Sequence, residues 1–367
     1  MGRLILHSFE ELHSWPNLLR AWRQAALAKR TQANVAAFEY RLEENLLDLQ
    51  AELRHHTYRP GAYSSFFIHE PKRRLISAAP FRDRVVHHAL CQIIEPDFDR
   101  SFIADSFANR VGKGTHRALD RLQHFTRRFR FALPCDVRQF FPSLDYEILF
   151  NILARKIADP DVLRLCGLIL ASGRGVLSGE YDMVWFPGDD LFAALRPRGL
   201  PIGNLTSQFW ANCYLNPFDH FVKRELRCPG YLRYVDDFVL FSDDKRVLWA
   251  WKAALVERLA RLRLKIHPCA HPQPVTEGIP FLGFTVYPHR RRLKRRKGVH
   301  FQRKLRMLLA QCEAGEIPVC AVTTRVRSWV SHASHGNTVG LRKAILSRIR
   351  LRSPRAKQQT FPDASGG

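Results

Sequence analysis

Apolar residues at Val35, Phe38, Leu42, Leu46, Leu47 and Leu53 recur at three, four and seven, which predicts one amphipathic packing helix from about Asn34 to Leu53. The stretch Tyr63 to Ile76 alternates and is rich in β-formers, with Glu70-Pro71 as the turn of a basic hairpin. Helical spacing returns over Phe81 to Ile94 and, after the loop Gly112-Lys113-Gly114, over Thr115 to Phe125. Phe129 to Val137 reads as a short buried strand, and Asp145 to Ile157 as a helix N-capped by Ser143. Residues 172–200 hold five Gly and little periodicity, which predicts a long, mobile, irregular connection. Gly203 to Phe221 is helical, and Tyr231 to Ser242 (YLRYVDDFVLFS) is a hairpin with acids at its tip. A helix at 247–263, a strand at Phe281 to Tyr287 and basic helices over 300–350 follow, ahead of a disordered tail at 351–367.

Charge changes the picture. Lys and Arg number 58 against 34 Asp and Glu in 367 residues, a formal charge of +24, so the surface needs a polyanionic partner. Nucleic acid fits best, because phosphates are dense negative charge and binding releases condensed counterions. The block Arg290 to Arg306 (RRRLKRRKGVHFQRKLR) concentrates ten of these cations, which points to template and primer phosphates. No apolar run reaches the 18 or so residues of a spanning helix, the opening lacks a signal peptide, and Leu6 stands where myristoylation needs Ser or Thr, so no membrane partner is expected. Eight cysteines, none in a CxxC pair, suit reduced thiols and a cytoplasmic location.

The sharpest chemical feature is Tyr234-Val235-Asp236-Asp237, two adjacent carboxylates flanked by apolar strands. Such charges are costly to hold without a compensating cation. Asp136 ends another apolar strand, and if the two segments are neighbours in one sheet, three carboxylates converge. Oxygen-only ligands suit Mg²⁺, and two such ions serve in-line phosphoryl transfer. An exposed acidic turn is the plainer reading of the Asp pair alone.

At these residues the chain resembles the reverse transcriptases, in the right order over roughly residues 35–345. PKRRLISAAPFRDRVVHHAL (71–90) and SFIADSFANRVGKGTHRAL (101–119) are similar to the family's two fingers motifs, CDVRQFFPSLDYEIL (135–149) to the palm motif with the first acid, YLRYVDDFVLF to its Y-x-D-D box and IPFLGF (279–284) to its primer grip. The resemblance implies an α/β right-hand polymerase: an N-terminal helical segment (1–60), fingers (61–125), an antiparallel palm (126–288) and a helical thumb (289–350). It also implies an RNA-directed DNA polymerase that extends a DNA or RNA primer on template RNA with dNTPs.

Asp136, Asp236 and Asp237 would bind two Mg²⁺ ions, with Mn²⁺ as a substitute, and Phe141 would exclude a ribose 2′-OH. Lys72 and Arg74 would meet the triphosphate. Ile202, Gly203, Ser207 and Gln208 would line the templating pocket, and Phe281, Leu282 and Gly283 would form the primer grip. The string Ile202-Gly203-Asn204-Leu205-Thr206-Ser207-Gln208 and the segment SWVSHASHGNTVGLR (328–342) resemble the enzymes of diversity-generating retroelements, which implies error-prone copying at adenines and a small basic accessory protein. A Lys that many relatives carry after the acidic box is missing from LRLKIHPCAHP, where Lys265 or His271 is the candidate replacement. His267, Cys269 and His271 lack zinc spacing, and His332 and His335 lack a companion Glu. The alternatives are a reverse transcriptase of another lineage, group II intron-like or antiviral, and an inactive RNA-binding scaffold, which would have shed its acids.

Overall fold

The computed structural model of the protein describes residues 8–69 and 72–347. The Glu70-Pro71 turn, Leu6 and the tail at 351–367 lie outside the described residues. The chain divides into two compact units, Met1–Ala118 with Phe131–Gln273, and Leu119–Arg130 with Pro274–Gly367.

The first unit opens with α1 (Phe9–His13), α2 (Trp15–Ala26), α3 (Ala33–Tyr40) and α4 (Leu42–Arg54), which share a core with α5 (Phe81–Asp99). The single helix expected over Asn34 to Leu53 is broken at Arg41 (φ −120°, ψ 46°), and the Asn45 side chain donates to the Phe38 carbonyl across the break at 3.0 Å. The break resets the helical phase, so Leu46, Leu49 and Leu53 are buried while Leu47 is 48% exposed.

Between α4 and α5 lies the hairpin of β1 (Ser64–Ile68) and β2 (Arg74–Ala78), paired from Ser64↔Ala78 to Ile68↔Arg74. After α6 (Thr115–Arg128) come β3 (Phe131–Asp136), α7 (Phe140–Ser143), α8 (Tyr146–Ala154) and α9 (Pro160–Ser172). Ser143 is not the N-cap expected of it: its hydroxyl donates back to the Gln139 carbonyl, and Asp145 caps α8 by accepting from Ile148 N–H at 3.1 Å. A carboxylate two residues on replaces the hydroxyl because residues 140–143 form a turn of helix of their own, and Ser143, its last residue, spends its hydroxyl on it.

The connection 172–200 is irregular, with short 3₁₀ turns at Ser178–Glu180 and Leu191–Leu195, but it is tied down rather than loose. Asp182 pairs with Arg138 at 2.7 Å, Asp189 takes both nitrogens of Arg263 at 2.7 and 2.9 Å, and Arg196 clasps Asp145 at 2.7 and 3.0 Å. These charge-assisted bonds do what apolar periodicity does elsewhere.

Helix α10 (Leu205–His220) continues as a π-helical turn to Glu225, and β4 (Gly230–Tyr234), β5 (Asp237–Ser242) and α11 (Lys245–Arg261) follow. The sheet runs β4-β5-β3, all antiparallel, with a fourth short member, β6 (Gln273–Pro274), opening at Gln273 on the β3 edge. Phe238, Val239, Leu240 and Phe241 of the central strand are all buried, as a strand covered on both faces requires.

In the second unit, the single strand expected at Phe281 to Tyr287 is instead a hairpin of β7 (Ile279–Phe281) and β8 (Phe284–Val286), with β9 (Arg291–Leu293) beside it. Leu282 and Gly283 turn it with φ of +43° and +89°, the two positive values of a type I′ turn. Helices α12 (Arg295–Glu313), α13 (Val319–Ala333) and α14 (Val339–Leu346) pack around Phe301, Leu305, Val322 and Ile345, with Phe301 stacked on Trp329 at 4.1 Å. Most of the basic block is solvent-facing. Arg291 is the exception, because it binds Asp120 at 2.6 Å and Gln123 at 2.8 Å within the same unit. Among the described residues, no helix is long and apolar enough to cross a membrane.

Candidate active site

Strand register brings the acids together. In the β3–β5 ladder Asp136 stands directly opposite Asp237, the last pair before the strands part. In the β4–β5 hairpin Tyr234 pairs with Asp237, so Val235 and Asp236 form a two-residue turn, and Asp236 sits at the lip of the same sheet end. The Asp236 carbonyl accepts from Val137 N–H at 3.3 Å, and the Asp136 carbonyl from His267 N–H at 2.8 Å, which fixes both backbones. Val235 has φ +57°, a left-handed conformation that a β-branched side chain resists at a cost of about 1–3 kcal/mol.

Burial dominates the electrostatics. It raises the Asp136 carboxyl above its ordinary value, while the charges of Lys72, His267 and Arg74 and a hydrogen bond from Asp237 pull the other way. Asp236 is pushed up to about 6, first by burial and then by the charge of Asp136, with Arg74 and Lys72 again opposing. The two cations on the β1–β2 hairpin therefore act on the acids. Both are solvent-exposed, as groups that meet a diffusing polyanion should be.

Among the described residues, no three His, Cys, Asp or Glu side chains are gathered into a metal-holding cluster. What fits a metal is the donor chemistry: half-buried carboxylate oxygens only, raised first by burial and, at Asp236, then by the charge of Asp136, both of which a divalent cation would offset.

The remaining residues distribute as follows. Phe141 lies half-buried in α7, edge-on to Phe140 at 5.4 Å, and its carbonyl accepts from Leu200 N–H at 3.0 Å. The Ile202 carbonyl accepts from Ser77 N–H at 2.8 Å, tying the α10 approach to β2. Gly203 has φ +123°, and a Cβ there would stand 3.0 Å from Ile76 Cγ2, so both backbone freedom and space demand glycine. Ser207 is buried and Gln208 exposed on the first turn of α10. Phe281, Leu282 and Gly283 form the β7–β8 turn of the second unit. Lys265 and His271 are both exposed, the first with its backbone carbonyl accepting from Arg138 N–H at 2.8 Å.

Sequence reasoning missed two groups. Asn204, given no role of its own in the sequence, spends its amide on the end of β2: its oxygen accepts from Ala79 N–H at 3.0 Å and its nitrogen donates to the Ser77 carbonyl at 2.9 Å. The second group is the fully buried ion pair Arg233–Asp219 beneath the acidic turn. Its signal was available: an Arg inside YLRYV and an Asp inside the apolar run of α10.

Comparison with known proteins agrees with this geometry. The family model described as reverse transcriptase (RNA-dependent DNA polymerase) matches residues 68–286, which include β2, all three acids and the β7–β8 turn. The chain is 24% identical over 301 residues to Protein YkfC of Escherichia coli (strain K12), covering 71% of this chain and 75% of that protein. It is 24% identical over 183 residues to the group II intron-encoded protein LtrA of Lactococcus lactis subsp. cremoris, covering 49% of this chain but only 28% of that one. Among solved structures, a telomerase from Candida albicans bound to a fragment of telomeric RNA is similar with TM-score 0.44 at 11% identity, over 84% of this chain and 61% of that one. A partial Cas6-RT-Cas1–Cas2 complex is similar with TM-score 0.37 at 19% identity, over 68% and 41%. With the family model matching more than half of its length, the chain belongs to the reverse transcriptases, RNA-directed DNA polymerases of right-hand polymerase fold whose family works with divalent metal ions.

Proposed function

We propose that this enzyme copies a template RNA into cDNA for a diversity-generating retroelement, with frequent errors at template adenines. The observation that carries the reading is the string Ile202 to Gln208, in which an Ile takes the place of the Gln usual in intron enzymes. That string is anchored to β2 through the Ile202 carbonyl and the Asn204 amide, beside the hairpin that bears Lys72 and Arg74. An aliphatic side chain at 202 offers no hydrogen bond to a template base, so discrimination there rests on shape alone.

Asp136, Asp236 and Asp237 would hold two Mg²⁺ ions, or Mn²⁺ in their place. Bound there, the metal supplies charge stabilisation to the attacking and leaving oxygens of phosphoryl transfer. Lys72 and Arg74 bind the triphosphate of the incoming dNTP, and Phe141 blocks a 2′-OH. Phe281, Leu282 and Gly283 hold the primer end, and the basic face of α12 follows the duplex phosphates. In these terms residues 61–125 are fingers, 126–288 palm and 289–350 thumb. A small basic accessory protein assists, and the reaction runs in the cytoplasm.

A second reading, an intron-like lineage, is favoured by the similarity to LtrA. Primer extension on RNA with Mg²⁺ and dNTPs, followed by product sequencing, separates the two. Substitutions concentrated at template adenines support the retroelement, and uniformly accurate cDNA supports the intron-like lineage.

A further inference from the structure

Beneath the acidic turn lies a charged group in the least plausible place for one. Arg233, the penultimate residue of β4, is fully buried, and so is its partner Asp219 on α10. The guanidinium makes a two-pronged contact with that carboxylate at 2.7 and 2.8 Å, and Tyr231 Oη donates to the same carboxylate at 2.6 Å. Its remaining nitrogen, Nη1, donates to Asn212 Oδ1 at 3.1 Å and to the Val235 carbonyl at 3.0 Å. Asn212 is itself tied to the Ala108 carbonyl at 2.9 Å, and the Arg233 backbone is clamped by the Asp105 carbonyl at 2.9 Å and Phe107 N–H at 3.0 Å.

Replacing a buried ion pair by apolar residues is often neutral or stabilising, so packing alone gives no reason to keep this one. The Val235 carbonyl does give a reason. It belongs to the residue at φ +57° and opens the peptide that leads into Asp236. We propose that Arg233 is a positioning residue: held rigid by Asp219 and Asn212, it pins the Val235 carbonyl, keeps the strained turn in its left-handed conformation and so aims Asp236 and Asp237 at the reacting phosphates. The inference rests on the reading that these acids carry catalysis.

The test is single-nucleotide primer extension by the full chain on an RNA template with Mg²⁺. Arg233→Lys keeps a charge against Asp219 but cannot serve Asp219, Asn212 and Val235 together. Its kcat is expected to fall 10- to 100-fold, with dNTP KM and primer–template Kd within twofold of wild type. Adding Val235→Gly, which removes the strain, recovers at least fivefold of that loss. The pair Arg233→Met with Asp219→Leu removes the buried charges together and keeps the interior neutral, yet stays at least tenfold down because the carbonyl has no donor. Arg233→Lys within threefold of wild type overturns the proposal, as does the Met/Leu pair at full rate or a Val235→Gly effect of equal size in both backgrounds. If Arg233→Lys does not fold by circular dichroism, the Met/Leu pair decides. Asp236→Ala with undiminished extension defeats the underlying assignment of the acids, whereas an inactive Asp236→Ala beside a fully active Arg233→Lys defeats only the role of Arg233.

Discussion

Two hairpins of this chain turn on two residues, and both place a bulky residue at positive φ. At β7–β8 the pair is Leu282 (φ +43°) and Gly283 (φ +89°), and the glycine accepts the second left-handed position at no steric cost. At β4–β5 the pair is Val235 (φ +57°) and Asp236, with no glycine at all. The first turn is solved by local composition, and its main outside support is Lys294 N–H on the Gly283 carbonyl at 3.0 Å. In the second, the left-handed position is held by Val235, and the carboxylate of Asp236 stands at the other turn position. Its support comes from below, through Arg233, Asp219 and Asn212. At β4–β5 a β-branched residue is thus held left-handed by buried polar groups, in the peptide that leads into Asp236.

The sharpest break between the two turns is catalytic. Asp236→Ala is expected to lower primer extension on the order of 10³-fold, about 4 kcal/mol of transition-state stabilisation, whereas Gly283→Ala lowers it less than about tenfold. Next comes the support. Asp219→Ala strands the buried Arg233 charge and should cost about 3–5 kcal/mol in urea unfolding. Among the described residues of the second unit, none carries a comparable buried charge to strand.

The third contrast is pH. The folded protein holds the Asp236 proton up to about 6, against an ordinary value of 3.8, so ionisation above that point weakens the fold, and stability rises as pH falls through 6 toward 4. Asp236→Asn should therefore melt about 2–6 °C above wild type at pH 8 in EDTA, with the difference vanishing near pH 4. The smallest effect belongs to the relaxed turn: Gly283→Ala should cost about 1 kcal/mol, read from the urea midpoint.

Legibility followed the range of the forces involved. The acidic hairpin and the strand ending at Asp136 were readable because alternating apolar residues mark strands and charge inside them stands out. The break at Arg41 was not, because Leu46 and Leu47 fit either phase of a helix and only packing on α1 and α2 chooses between them. The Ser143 cap failed for a similar reason: Asp145 is an equally good cap, and the Ser143 hydroxyl is taken by the Gln139 carbonyl. The segment 172–200 looked mobile because its order comes from Arg138, Arg263 and Asp145, partners that periodicity does not register. Asn204 carried no signal, because its partners at Ala79 and Ser77 lie 125 and 127 residues away.

By itself the sequence determined where the acidic hairpin, the strand ending at Asp136 and most of the helices lie, the excess of cations that suits a polyanion, and the order of motifs that marks a reverse transcriptase. Those properties reside in local periodicity, composition and spacing. Only the tertiary structure decided that Asp136 faces Asp237 across the ladder, that Lys72 and Arg74 act on those acids, and that a buried Arg233 holds the turn between them. Pairing register and buried charge depend on which distant segments share a dry interior, and only the folded chain brings those segments together.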